Sequence, residues 1–93
     1  MVTVRIPGPM RSLTGGASSV AVEGATVREV LEALVALHPQ ARPRIFDDQG
    51  RLRRFVNLYV GEEDVRFADG LETGVKAGQA VSILPAVAGG GRP

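Results

Sequence analysis

The strongest constraint on the fold is one stretch of helical periodicity that stands between segments with the alternation of β-strands. Apolar residues recur in this stretch every three or four positions and predict a single apolar stripe on a helix, formed by Val27, Val30, Leu31, Leu34 and Leu37. Thr26 and Glu29 have the spacing of a capping box, so the helix is predicted to begin there. Pro39 is predicted to end it, because proline disfavours helical geometry in the preceding residue. A helix with one apolar face can cover only one side of a sheet.

The segments around this helix predict a sheet. Apolar and polar residues alternate at 2–6 and at 18–23, and turn residues bound both segments. After the helix, three more strands are predicted, at 55–60, 65–67 and 80–86. If the first and last strands are parallel neighbours in the middle of the sheet, the connection between them has the favoured right-handed sense. The order β-β-α-β-β-β predicts an α+β fold of the β-grasp type, in which a mixed sheet of four to five strands carries one main helix across one face.

Size and composition predict one domain and exclude several classes of function. The 93 residues can fill one core, and Val, Leu and Ile must supply it because aromatic residues make up 4% of the chain. The absence of cysteine excludes disulfides, thiolate metal sites and a thiol nucleophile. A net charge of +1 is too small to attract nucleic acid or an anionic membrane. Because the sequence shows neither a signal peptide nor a membrane-spanning segment, we expect a soluble, cytoplasmic protein.

The segment at 40–54 is polar and basic. Ile45, Phe46 and Leu52 are predicted to anchor it to the core, and 47–50 to form a turn. Acidic residues interrupt its basic residues, and this composition does not match a surface on which nucleic-acid bases stack. The basic residues are Arg42, Arg44, Arg51, Arg53 and Arg54. A solvated surface is the simplest interpretation. The alternative is steering toward an acidic patch on a partner protein, which would make the association rate sensitive to salt.

No catalytic or metal-binding constellation is predicted elsewhere. His38 is the only histidine, and its position at the end of the helix indicates a surface or capping role. The acidic residues at 62–64 lack the spacing of a calcium loop and are explained by a turn. Gly15-Gly16 is not followed by the lysine and hydroxyl residue of a phosphate-binding loop.

The segment after the last predicted strand is unusual for a chain end. Residues 84–93 read Leu-Pro-Ala-Val-Ala-Gly-Gly-Gly-Arg-Pro, so apolar residues lead without a charge into glycine. Glycine has no Cβ, and such a tail can thread a narrow channel and present its backbone carbonyl to chemistry there. The alternative is a merely disordered end. We predict a folded domain at 1–87 and a flexible glycine tail at 88–93 that acts through its own carboxyl group.

Several segments make the chain similar to a known family. They are Arg54-Phe55-Val56-Asn57 with Tyr59-Val60, Glu63-Asp64-Val65-Arg66-Phe67 with Gly70-Leu71, and Val81-Ser82-Ile83-Leu84-Pro85-Ala86-Val87-Ala88-Gly89-Gly90, together with Thr14-Gly15-Gly16. These segments span nearly the whole chain. They resemble the ubiquitin-like sulfur carriers of the MoaD/ThiS family and, within it, the branch that serves cysteine biosynthesis.

The resemblance implies a carrier that is a substrate of other enzymes and not itself an enzyme. A ubiquitin-activating-type enzyme would adenylate the C-terminal carboxylate with ATP, and a sulfur donor would convert the acyl-adenylate into a thiocarboxylate. A synthase would then deliver the sulfur, in the cysteine branch to a serine-derived aminoacrylate on a pyridoxal phosphate enzyme, and a zinc metalloprotease of the JAMM type would free the product. The carrier itself would hold no cofactor and no metal. A thiocarboxylate needs only a carboxyl group, so the lack of cysteine is compatible with this role.

The same resemblance assigns roles to the tail. Gly90 would carry the carboxylate that is adenylated and thiolated, while Gly89 and Ala88 would give the clearance for threading into partner enzymes. The family's working form ends in two glycines, so the bond between Gly90 and Gly91 is the expected processing site and 91–93 the removable extension. Trimming after Gly91 is the lesser alternative.

Three residues before the glycines are candidates for a partner interface. Leu84, Pro85 and Val87 either project beside the tail and contact partner enzymes, or complete a core strand. The sequence leaves these two interpretations open.

Competing functions also remain open at this point. The final acceptor of the sulfur could be cysteine, molybdopterin, thiamin or another thio-metabolite. A ubiquitin-like protein modifier would use the same activated terminus to join a lysine of a target protein. A plain β-grasp binding module would recognise its partner through the sheet and leave the tail unused.

Overall fold

The computed structural model describes residues 1–54 and 56–85 of the 93-residue chain. The strands are β1 (Val2–Arg5), β2 (Ser19–Val22), β3 (Val56–Val60), β4 (Glu63–Asp64) and β5 (Ala80–Pro85). The α-helices are α1 (Val27–Leu37) and the single turn α2 (Arg42–Ile45). Short 3₁₀ helices occupy Gly8–Thr14, Pro39–Ala41, Val65–Phe67 and Gly70–Glu72.

The five strands form one mixed sheet in the order β2-β1-β5-β3-β4. β1 and β5 are parallel, with Val4 opposite Val81, and the other neighbours are antiparallel. The first and last strands therefore lie side by side in the middle of the sheet, as predicted. The predicted α+β arrangement, with one main helix across one face of a five-stranded sheet, is confirmed.

The main helix begins and ends where the sequence predicts. The Thr26 hydroxyl oxygen accepts a hydrogen bond from the backbone N–H of Glu29 at 3.2 Å, and the Glu29 carboxylate accepts one from the N–H of Ala25 at 2.8 Å. Both side chains thus bind backbone donors that have no partner within the helix. At the other end, the N–H of His38 donates to the carbonyl of Leu34 at 2.9 Å, which gives His38 the predicted position at the helix terminus.

The core lies between α1 and the covered face of the sheet. Its largest fully buried side chains come from the helix, from alternate strand residues and from the segment after the helix: Phe46, Leu31, Leu34, Ile45, Leu58 and Ile83. Ile45 and Phe46 therefore anchor the basic segment as predicted, and Leu52 packs partly buried against the core. One predicted core residue is wrong, since Leu37 is 60% exposed while Val35 is buried. Both flank the apolar stripe of α1, and the periodicity alone does not say which flank the rest of the chain covers.

The predicted strand at 65–67 is also wrong. β4 is Glu63–Asp64, where the sequence predicted a turn, and Val65–Phe67 is a 3₁₀ helix. The Asp64 carboxylate accepts the backbone N–H of Arg66 at 2.9 Å, which starts the helical turn. Val65 is buried while Phe67 is 85% exposed, so their spacing of two did not place them on one face. A short polar residue that binds the backbone two positions ahead competes with strand formation.

Removing the cap of α1 is expected to lower the stability of the whole domain. Thr26→Ala deletes the hydroxyl that binds the N–H of Glu29, and should reduce the free energy of unfolding by about 1 kcal/mol. In a domain of this size that corresponds to a fall in Tm of roughly 4–8 °C. Thermal unfolding followed by circular dichroism measures this change. The matched control Thr26→Ser keeps the oxygen and should unfold within about 0.5 kcal/mol of the unmodified protein; an equal loss in both variants would contradict the capping role.

Candidate functional site

The strand that leads into the glycine tail lies in the centre of the sheet. β5 is bonded to β1 on one side, where Arg5 is opposite Ser82, and to β3 on the other, where Val56 is opposite Pro85. β1 and β5 run in the same direction, and β3 starts where β5 ends. The β1 pairing ends at Ser82, and the β3 pairing holds the strand as far as Pro85.

The face of the sheet away from α1 carries a row of polar side chains. Arg5, Ser82 and Tyr59 are aligned across β1, β5 and β3. Their neighbours Val4, Val81 and Leu58 point into the core, so the alternation of each strand sends this row to the open side. The row lines a groove of about 490 Å³, and Leu84 is part of the same lining.

Leu84 is an exposed apolar residue at the base of the tail. Its side chain is 48% exposed on the open face of the sheet, opposite Asn57 of β3. Val81 and Ile83, in the same strand, are buried on the other face. Leu84 therefore does not complete the core, which leaves its side chain available for contact with another molecule.

Asn57 has a buried polar atom that no described residue binds. Its Oδ1 is buried and accepts no hydrogen bond from the described part of the chain. A buried polar atom without a partner costs about 1–3 kcal/mol relative to one that is satisfied. Asn57 and Leu84 thus combine an unsatisfied acceptor and an exposed apolar surface at one point of the open face.

Ion pairs fix the charges at the edge of this face. Arg66 pairs with Asp64 at 3.2 Å, and Asp64 stands opposite Tyr59 in the sheet. Hydrogen bonds from the Arg66 side chain, and then from its backbone N–H, hold the pKa of the Asp64 carboxyl below its usual value, and the same pairing raises the pKa of Arg66. In the turn at 47–50, the backbone N–H of Arg51 likewise lowers the pKa of Asp47. Both carboxylates are therefore charged at neutral pH.

The residues predicted to carry the chemistry fall outside the described part of the chain. These are Gly90, Gly89, Ala88, Val87 and Gly91, and the domain boundary predicted at 87 lies there as well. Pro85 is the last residue of β5, and of the three interface candidates only the side chain of Leu84 is described. Their predicted roles stay predictions.

Sequence analysis missed the importance of Asn57 and Tyr59. Both were named only within the segments that resemble the carrier family, although they are the polar residues of the strand predicted at 55–60. The register of β3 against β5, which brings Asn57 beside Leu84, was not available from the sequence.

No group of three or more His, Asp or Glu side chains in residues 1–54 and 56–85 could hold a metal ion. Over the same residues, none of the helices has the length and apolar character needed to cross a membrane.

The fold places the molecule in a structural class. A mixed five-stranded sheet with parallel central strands and one main helix across one face is the β-grasp arrangement of ubiquitin-like proteins. The sequence profile of the ThiS family matches residues 4–90. The chain belongs to the ThiS family.

Individual relatives agree with this assignment. The sulfur carrier protein CysO of Mycobacterium tuberculosis is 48% identical over 91 residues, which cover 96% of this chain and 98% of the relative. The crystal structure of the BexX/CysO complex of Amycolatopsis orientalis contains a chain that matches with a TM-score of 0.88 and 46% identity, over 94% of this chain and 97% of that one. The small archaeal modifier protein 1 of Haloferax volcanii is 38% identical over 72 residues, which cover 76% of this chain and 78% of the relative. The similarity to MoaD/ThiS carriers of the CysO type that the sequence indicated is confirmed.

Proposed function

We propose that this protein carries sulfur as a thiocarboxylate on Gly90 and donates it in biosynthesis, in cysteine biosynthesis first of all. The observation that carries the proposal is the 48% identity to a sulfur carrier protein over 96% of the chain. The family profile ends at Gly90, which supports Gly90 as the residue that carries the sulfur.

The chemistry needs a free carboxylate. Hydrolysis of the peptide bond between Gly90 and Gly91 supplies it and releases the segment that begins Gly91-Arg92-Pro93. An oxygen of the carboxylate then attacks the α-phosphorus of ATP, and pyrophosphate leaves. A sulfur nucleophile attacks the resulting acyl carbon, AMP leaves, and the product is a glycyl thiocarboxylate. Each of these steps uses a catalyst supplied by a partner, and the carrier contributes the reacting group.

The folded body and the tail have separate tasks in this proposal. The body at 1–87 positions the tail, because β5 is paired with β1 up to Ser82 and with β3 up to Pro85. The five residues that follow Pro85, up to Gly90, can extend the chain by at most about 17 Å. Gly89 has no side chain and Ala88 has only a methyl group, so both would pass through a narrow channel of that depth. The exposed Leu84 would contact the partner surface at the channel mouth.

The proposed partners follow from the sequence of reactions. A ubiquitin-activating-type enzyme would form the adenylate, and a synthase, in the cysteine route one that uses pyridoxal phosphate, would accept the sulfur. A JAMM-type metalloprotease would cleave after Gly90. The BexX/CysO complex supports the expectation that a carrier of this kind functions while bound to a larger protein.

The intact mass of the protein in its own cells tests the proposal. Maturation and thiolation predict a chain that lacks residues 91–93 and is about 16 mass units heavier than the corresponding glycyl carboxylate, because sulfur replaces oxygen. Growth with limited sulfate should reduce the heavier species. Cells that contain only the untrimmed chain while the sulfur-dependent pathway runs normally would contradict the proposal.

A protein modifier is the second candidate. The 38% identity to a small archaeal modifier protein favours it, since the same acyl-adenylate can be transferred to a lysine amine. Conjugates with an isopeptide bond between Gly90 and a target lysine would support modification. A thiocarboxylate without such conjugates would support carriage alone.

A further inference from the structure

The arginines of the middle segment form a surface beside the base of the tail. We call Arg44, Arg53 and Arg54 the basic surface. Arg53 holds it together, because its backbone N–H donates to the carbonyl of Ile45 at 2.9 Å and its Nε donates to the carbonyl of Pro43 at 2.6 Å. These two bonds hold Arg53, which precedes Arg54, against the backbone on both sides of Arg44.

Hydrogen bonds and register connect this surface to the end of β5. The carbonyl of Arg53 accepts the N–H of Val56 at 3.1 Å, and Val56 is directly opposite Pro85. β3 is antiparallel to β5, so the residues that precede Val56 lie on the side of the sheet toward which the chain continues past Pro85. The basic surface therefore flanks the origin of the tail.

The arginines of this segment differ in their neighbours, and the charge of Arg53 helps to lower the pKa of Asp47, after the larger effect of the backbone N–H of Arg51. Arg42 and Arg51, in the same segment, pair with Glu32 and Asp47. Arg44 and Arg54 are exposed, and neither forms an ion pair with a residue in the described ranges 1–54 and 56–85. Asp48 is the one remaining carboxylate of the turn at 47–50. Arg44 and Arg54 therefore place two positive charges without an ion pair near the end of β5.

The length of the tail decides what this charge can meet. When Gly90 is in an active site, Pro85 is at most about 17 Å away. An arginine side chain reaches less than half of that distance, so the basic surface does not touch the ATP that reacts with Gly90 when the tail is fully extended. It can touch the protein surface around the mouth of the channel into which the tail enters.

We propose that the basic surface docks against carboxylate side chains that surround the mouth of the tail-accepting channel in the adenylating partner. This inference rests on the proposed function. Long-range attraction between the basic surface and these carboxylates orients the carrier before the tail enters the channel. This attraction raises the association rate more than it slows dissociation. The interaction is strongest when the Debye length is about 10 Å or more and is largely screened in 1 M salt, where that length is about 3 Å.

Charge reversal tests the inference. The association rate with the purified ubiquitin-activating-type adenylating enzyme is measured by stopped flow for the full chain and for the chain that ends at Gly90. The double variant Arg44→Glu/Arg54→Glu should associate about 10-fold more slowly at 50 mM salt and no more than about 2-fold more slowly at 1 M salt. At saturating concentration, its rate of ATP–pyrophosphate exchange should equal that of the unmodified chain. Arg53 is left intact because its side chain binds the carbonyl of Pro43.

Lys76 provides the matched control. It is exposed near the start of β5, at the end of the sheet opposite the tail, where Gly78 donates its N–H to the carbonyl of Met1. Lys76→Glu changes the net charge by the same amount as each single arginine substitution. Its association rate should stay within about 2-fold of the rate of the unmodified chain. The double variant Arg44→Lys/Arg54→Lys should associate at the rate of the unmodified chain, since the effect depends on charge and not on a planar guanidinium.

The outcomes separate this inference from the proposed function. If the unmodified chain is adenylated normally and charge reversal at Arg44 and Arg54 does not change the association rate, the docking inference alone is overturned. An equal loss of rate in Lys76→Glu also overturns it, because net charge would then explain the effect. If the unmodified chain that ends at Gly90 binds the enzyme but is never adenylated, the proposed function is overturned, and this inference falls with it.

Discussion

Blocking the carboxyl group of Gly90 is expected to abolish thiocarboxylate formation and leave the fold unchanged. A chain that ends in the glycyl amide at position 90 has the same length and shape as the trimmed chain but has lost the nucleophilic oxygen and its charge. No acyl-adenylate can form, so ATP–pyrophosphate exchange should fall to background. Mass spectrometry after incubation with the activating enzyme, ATP and sulfide should show no species about 16 units heavier.

A chain that ends at Gly89 gives the companion measurement. Its carboxylate is intact but lies about 3.5 Å further from the reacting phosphorus when the body is docked. A misplacement of 1 Å can already cost about 10²-fold in rate, so the expected loss exceeds that value. Both variants should keep the Tm of the trimmed chain, because the described sheet and core end at Pro85. Normal thiolation of the amide form would show that Gly90 is not the reacting group.

Truncation of Leu84 is expected to weaken binding to the adenylating enzyme by about 10- to 100-fold, which corresponds to roughly 1.4–2.7 kcal/mol of binding free energy. Leu84 is 48% exposed beside the base of the tail, so its side chain can be buried by a docked partner. Leu84→Ala removes that apolar contact while the backbone hydrogen bonds of β5 remain. Isothermal titration or a competition assay measures the affinity, and thermal unfolding checks that the domain is intact.

Leu37 is the matched control for this experiment. It is 60% exposed at the end of α1, on the face of the sheet opposite Leu84. Leu37→Ala deletes the same atoms and should leave the affinity within about 2-fold. Equal losses in the two variants would mean that the open face around Leu84 is not the docking surface.

The main helix and the order of the sheet could be predicted because local signals and global packing agree. Thr26 and Glu29 mark the start of α1 through hydrogen bonds that involve only nearby residues, and Pro39 marks its end. Alternation along β1, β3 and β5 predicts which residues are buried, and each of these strands is covered on one face by the helix. Such features do not depend on distant parts of the chain.

The features that failed depend on tertiary context. Val65 and Phe67 have the spacing of strand residues, but Asp64 binds the N–H of Arg66 and starts a helical turn instead. The choice between Val35 and Leu37 for the core depends on how later segments pack against the two flanks of α1. The juxtaposition of Asn57 with Leu84, and of Arg54 with the end of β5, depends on register between strands that are distant in sequence. Periodicity does not encode that register.

The central position of β5 has a mechanical consequence. A partner that grips the tail pulls along the axis of this strand, which is hydrogen-bonded to β1 along one edge and to β3 along the other. A load in that direction shears the hydrogen bonds to both neighbouring strands at once. A strand at the edge of the sheet has only one neighbour and could peel away one hydrogen bond at a time. The domain is therefore expected to withstand tension on the end of β5, as the proposed transfer of the tail between partner enzymes would require.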